Sequence, residues 1–152
     1  MKLWRLTRAP FVALDGAGAA LNGARYAPSG VPVVSFASEA ALAVLITLRY
    51  LPSDLKGIAD DYVLGWTEAT AVPQRVPSGS DDAIREWTAA WLVEKRSLLA
   101  AVASKVLPEG DVVLLNPRHP DAAAVAPLLA RPFDFAECLH RPPMLDSYRR
   151  IS

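Results

Sequence analysis

The chain has 152 residues, of which 52% are apolar, and its 16 basic and 16 acidic residues cancel. That length predicts one domain, 1–152, burying roughly 70% of the surface of its unfolded chain. Zero net charge removes bulk attraction to nucleic acid or a membrane surface, and the lone Cys138 excludes an internal disulfide framework and a cysteine-based zinc site.

In chain order, Leu3–Leu6 alternates large residues and predicts a short strand carrying Trp4 and Arg5. Asp15–Gly23 is rich in Gly and Ala without a clear period, which predicts a loop or a poor helix. Gly16, Gly18 and Gly23 make no GxGxxG or Walker spacing, so a flexible connector is expected there rather than a phosphate cradle. Val31–Ala37 is short and β-branched, as a buried strand would be. Ser38 offers an N-cap to the helix EAALAVLITLRYL, with Ala41, Leu42, Leu45, Leu48 and Leu51 along one face and Pro52 ending it. A strand is expected around Tyr62–Leu64, then a Pro/Ser/Gly loop from Ala71 to Ser80.

Ser80 or Asp81 caps an amphipathic helix, DDAIREWTAAWLVEKR, which buries Ile84, Trp87, Ala90 and Trp91. Periodicity leaves helix and strand both open for SLLAAVASKVLPEG. Asp111–Leu115 reads as a strand, Asn116–Pro120 as a turn, Asp121–Leu129 as a short Ala-rich helix and Pro132–Leu139 as a final strand. The basic tail after His140 is expected to fray. The mixture predicts an α+β or mixed α/β fold without repeats. His119 and His140 lack ligand spacing, so no metal is expected. MKLWRLTRAP lacks the apolar core of an export signal, and no apolar run reaches the ~18–20 residues of a membrane span. A cytoplasmic protein is expected. A mean hydropathy of +0.20 is high for a solvated monomer, which points to an interface with a partner.

The order of these pieces resembles the RES domain family, named for an arginine, a glutamate and a serine. Trp4–Arg5 stands near the N-terminus, and GARYAPSGVPVV (Gly23–Val34) is similar to the family's Gly-Gly-Arg-Trp-Asn followed by a Gly-Pro-Val-Val turn and strand. EAALAVLI (Glu39–Ile46) is similar to the helix that holds the glutamate. VASKVLPEGDVVLLNPRHPD (Val102–Asp121) resembles the Val-Pro-Ser-Ala-Val-Val-Pro…Leu-Asn-Pro-x-His-Pro run, and PFDF (Pro132–Phe135) the closing strand. The resemblance implies an ADP-ribosyltransferase-like mixed sheet with flanking helices and a cleft for NAD. It further implies the toxin of a bacterial type II toxin–antitoxin pair that cleaves NAD+ as a glycohydrolase or phosphorylase, or transfers its ADP-ribose. The partner implied is an Xre-type helix-turn-helix antitoxin that plugs the cleft.

Carried over residue by residue, Arg25 is the family arginine, placed to grip the pyrophosphate with its planar fork; the plain alternative is a surface arginine opening a strand. Arg5 would hold the same phosphates from the other side, or is a strand-edge charge. Tyr26 either stacks on a ring of the cofactor or is a core aromatic. Ser104 matches the family serine, orienting a ribose or phosphate, with a satisfied core hydroxyl as its alternative. Asn116 and His119 are read as structural turn residues. Two positions depart from the family: Ile46 stands where it has the glutamate, and Ser35 where it has a strand-end tyrosine. Cleavage of the N-glycosidic bond builds oxocarbenium charge that a carboxylate stabilises and isoleucine does not. A one-residue shift offers Thr47, also without a carboxylate. Glu39 lies about 10 Å along the helix from Ile46 and is expected to serve the helix dipole, and the direction of Asp60 and Asp61 is open. Three readings stand: an NAD-cleaving toxin, a catalytically impaired RES-like protein that binds an antitoxin, with or without a nucleotide, and an unrelated α+β domain whose motif matches arise by chance.

Overall fold

The computed structural model describes residues 1–140 and 144. Its strands are β1 (Lys2–Arg8), β2 (Val34–Ala37), β3 (Tyr62–Glu68), β4 (Gln74–Arg75), β5 (Leu99–Ala103), β6 (Asp111–Leu115) and β7 (Leu129–Pro132). They form one seven-stranded sheet in the order β4-β5-β6-β2-β1-β3-β7. Neighbours run antiparallel except for the parallel pair β4–β5. Helices α1 (Ala17–Asn22), α2 (Ala40–Leu48), α3 (Asp81–Glu94) and α4 (Phe135–Cys138) flank it. The α+β class expected from the sequence is the one found. Among the described residues no helix is long and apolar enough to cross a membrane.

Three apolar clusters hold the layers together. Under α3, Ile84, Trp91 and Leu92 pack on Ala100, Val102 and Leu114 from β5 and β6, with Tyr26 and Val33 closing the end. The other sheet face buries Leu3, Val34, Phe36, Leu99, Val113 and Leu115. Leu42 and Ala43 of α2 meet Leu6, Leu64 and Phe135. Strand β5 resolves the ambiguity of SLLAAVA. Lys95 takes a left-handed conformation at φ 51° and ends α3, and the following residues run through the sheet interior with both faces covered, where an uninterrupted apolar run belongs.

Several local expectations change. Ser38 is not the cap of α2: that position falls to Glu39, which makes no side-chain cap bond. The Ser38 hydroxyl instead accepts the Asp111 backbone N–H at 2.9 Å, tying the helix entry to β6. Ala41 is exposed rather than buried, because α2 is apolar on every side and its composition does not mark which face turns inward. On α3 the buried stripe is Ile84, Thr88, Trp91 and Leu92, one step round from the apolar residues expected, with Ser80 the cap. Asp121–Leu129 is not a helix. It makes a 3-10 turn over Pro120–Ala124 and enters β7, since Pro127 cannot continue a helix. The segment from Pro132 to Leu139 is not a strand beyond Pro132, because Asp134 Oδ1 accepts the Ala136 N–H at 2.8 Å and starts α4. The expected fraying beyond His140 falls outside the described residues, Met144 excepted.

Gly16 explains the Gly/Ala-rich stretch. It has φ +71°, and a Cβ there would come within 2.6 Å of the Val33 backbone nitrogen. The stretch is a short helix held close against the entry to β2, neither a flexible connector nor a phosphate cradle.

Candidate functional site

The sheet loosens between β1 and β2, where one facing pair, Trp4 and Ala37, is in register. Arg5 fills the gap. Its Nη1 donates to the Ser35 carbonyl at 3.0 Å, while its buried Nε has no partner. Burial pulls the Arg5 guanidinium below the ordinary arginine pKa, against an opposing pull from Asp15. Arg5 lines a pocket of about 140 Å³ with Ser35, Ile46 and Thr47. Thr47 does not turn its hydroxyl proton to that space; Oγ1 donates to the Ala43 carbonyl at 2.8 Å.

Ser35, Ile46 and Val112 are also walls of a larger cleft of about 760 Å³, so the two spaces adjoin. The loop after α1 brings Arg25 and Tyr26 to this cleft, the end of α2 brings Ile46, Arg49 and Tyr50, and α3 brings Asp81, Arg85 and Thr88. Asn22, at the end of α1, and Ser104 and Lys105, just past β5, complete the polar lining. Four cationic side chains, Arg25, Arg49, Arg85 and Lys105, thus face a single carboxylate, Asp81. A cleft in which cations outnumber carboxylates, set in apolar walls, concentrates an anionic ligand.

Arg25 is held across the cleft by Asp81. Its Nε and Nη2 donate to Asp81 Oδ2 at 3.3 and 3.2 Å, and its guanidinium lies 5.5 Å from the Tyr26 ring centre. Partial burial works against its charge, but Tyr26 and Asp81 outweigh that and leave its pKa above the ordinary arginine value. Burial likewise raises the Tyr26 phenol, keeping it neutral, with Arg25 opposing. Tyr26 is 6% exposed and belongs to the core under α3, so a ring stacking in this cleft finds its accessible aromatic in Tyr50, which is 67% exposed.

Ser104 is buried, and its Oγ accepts the Leu107 N–H at 3.3 Å, leaving the hydroxyl proton for a further bond. Asn116 stays out of the site: Nδ2 donates to the Leu92 carbonyl and Oδ1 accepts the Arg118 N–H, which fastens the turn after β6. His119 Nδ1 accepts the Asp121 N–H in the same turn. Asp61 faces away, in a two-point ion pair with Arg8. Among the described residues the buried side-chain atoms without a hydrogen-bond partner are Arg5 Nε and Thr88 Oγ1. The residues that carry them line these spaces, Thr88 the larger and Arg5 the smaller, and such orphaned groups ask for an explanation.

The six residues expected from the sequence therefore gather around two adjoining spaces, Arg5 in the smaller, Arg25, Tyr26 and Ser104 in the larger, and Ser35 and Ile46 between them. Sequence reasoning missed Arg49, Tyr50, Asp81, Arg85, Thr88 and Lys105. Helical spacing carried part of the signal: Arg49 and Tyr50 follow Ile46 by three and four residues, and Arg85 and Thr88 follow Asp81 by four and seven.

Residues 2–136 match the RES domain family. The chain belongs to that family. A relative from Sphingobium sp. (strain YBL2), named a Prs ADP-ribosylating toxin, is 35% identical, with 74% of this chain and 77% of the relative covered. In fold, this RES domain is similar to a chain of the crystallised M. tuberculosis MbcT–MbcA toxin–antitoxin complex, with a TM-score of 0.65 over 99% of this chain and 89% of that one, at 16% identity.

Proposed function

We propose that this RES domain is the toxin of a type II toxin–antitoxin pair and that its substrate is NAD+, cleaved at the nicotinamide N-glycosidic bond. The observation that carries the reading is the cleft itself. Its 760 Å³ lie within the range of small-ligand sites, about 300–1,000 Å³, and its lining of four cations suits a pyrophosphate. Arg25 keeps Nη1 free of its bonds to Asp81, so it can grip a phosphate oxygen from that side. Arg5, bonded to the Ser35 carbonyl beside the smaller pocket, adds its charge from that side, Ser104 offers its hydroxyl to a ribose or phosphate, and Tyr26 and Ser35 shape the walls. The Sphingobium relative's name supports ADP-ribose chemistry. The toxin–antitoxin complex that shares the fold supports a protein partner, which we take to be an Xre-type helix-turn-helix antitoxin covering the cleft in the cytoplasm.

One observation favours the second reading, a nucleotide- and antitoxin-binding protein without turnover. Ile46, at the family's glutamate position, puts an apolar side chain between the two spaces. Nicotinamide release from NAD+ by the purified protein separates the readings. The expected result is release by the parent, and NAD+ binding weakened by about 10- to 100-fold in Arg25→Ala, the worth of a charged hydrogen-bond pair. A silent parent beside an active Ile46→Glu variant would favour the second reading. Silence in both, with no heat of NAD+ binding, would sink the NAD assignment.

A further inference from the structure

We infer that Asp81, on α3, supplies the carboxylate of this cleft: it accepts a hydroxyl of the nicotinamide ribose and stabilises the positive charge that builds at C1′ as the glycosidic bond breaks. The inference rests on the NAD+ reading above. Asp81 is the only carboxylate among the described residues lining the cleft. The helix dipole favours an acid in the first turn, but Asp81 is not the cap, which is Ser80, whose Oγ accepts the Ala83 N–H. The neighbouring Asp82 is almost fully exposed and pairs with Arg85, serving the helix end from the surface. Asp81 points the other way. Its Oδ2 takes both bonds from Arg25, while Oδ1 has Lys105 Nζ at 3.9 Å, beyond hydrogen-bond reach. Oδ1 thus accepts no hydrogen bond among the described residues, on a side chain that lines the cleft.

A second observation marks the same face of α3. Thr88 lies seven residues, two turns, beyond Asp81 and lines the same cleft. It is 0% exposed, and its Oγ1 has no partner. A carboxylate oxygen and an orphaned hydroxyl on one helical face suit a polyhydroxy ligand such as ribose. In the step itself the C1′–N bond breaks and its electron pair leaves with the nicotinamide nitrogen, turning the pyridinium into a neutral ring. The charge left on C1′ and the ring oxygen lies near Asp81. Water then forms the new bond to C1′ and gives its proton to solvent, so NAD+ and water become nicotinamide, ADP-ribose and a proton.

Asp81→Asn preserves size and removes the charge; Asp81→Glu preserves the charge and moves it by one methylene. In Asp81→Asn, nicotinamide release should fall by about 100-fold or more while calorimetric ADP-ribose affinity stays within about threefold of the parent, the split expected of a group that acts on the transition state. Asp81→Glu should recover part of the lost rate, which also guards against a simple folding defect in the amide variant. Tighter ADP-ribose binding with undiminished release in Asp81→Asn would reduce Asp81 to a stand-in anion on Arg25 and overturn the assignment. A parent that binds ADP-ribose yet releases no nicotinamide would overturn it too, while leaving the cleft a nucleotide site. A parent that binds neither NAD+ nor ADP-ribose would remove the reading on which it rests.

Discussion

Thr88 and Arg5 hold buried polar atoms that the fold itself does not satisfy. A buried hydroxyl without a partner costs about 1–3 kcal/mol, so a site that retains one gives up stability unless something else bonds to it. Thr88→Val is the direct test, since valine keeps the β-branched shape and hence the helix rotamer. Equilibrium unfolding in urea should show Thr88→Val stabilised by about 1 kcal/mol, while titration with ADP-ribose shows weaker binding than the parent. Gain of stability with unchanged binding would mean that the hydroxyl serves no ligand. Arg5 could be named from the sequence by resemblance, but its burial could not. That burial comes from the loosened β1–β2 seam, where a guanidinium bonds a strand carbonyl. Thr88 could not be named at all, because a polar residue amid apolar ones reads as the solvent edge of a helix.

Elements were legible where local chemistry and tertiary packing agree. Helix α3 shows a serine cap, acidic residues in its first turn and an apolar stripe, and it forms where its sequence predicts, with its buried face turned by one step. Strand β5 did not declare itself because leucine and alanine suit a helix as well; its place in the sheet interior decides. Strand β4 lies hidden in a Pro-rich loop, and its two residues gain strand character only from parallel pairing with β5. The Gly/Ala stretch around α1 was ambiguous because close backbone approach leaves no mark beyond the glycine itself. Two substitutions separate crowding from backbone strain there. Gly16→Ala meets both a positive φ and the Val33 backbone at 2.6 Å, whereas Gly30→Ala has φ +90° with nothing within 4 Å. Urea unfolding should register a loss of about 2 kcal/mol or more for Gly16→Ala and about 1 kcal/mol for Gly30→Ala, the strain of a non-glycine residue in that region. Equal losses would mean that α1 is not pinned against the β2 entry.

At the scale of the whole molecule, a chain of zero net charge holds a cleft lined by four cations and one carboxylate. The sum conceals this because Arg25, Arg49, Arg85 and Lys105 come from four separate segments and meet only on folding, while balancing acids such as Asp61 lie on other surfaces. No window of sequence contains the cluster, and only Arg25 carried a motif that announced it. The cleft's field is therefore local, and its reach is set by salt rather than by overall charge. Raising ionic strength from ~0.05 M to ~0.5 M shortens the screening length to a few ångströms and should weaken ADP-ribose binding by about tenfold. Arg25→Ala should flatten that dependence, while Arg8→Ala, whose partner Asp61 faces away from the cleft, should leave it intact. A parent affinity indifferent to salt would mean that apolar walls and Tyr50, rather than the gathered cations, hold the ligand.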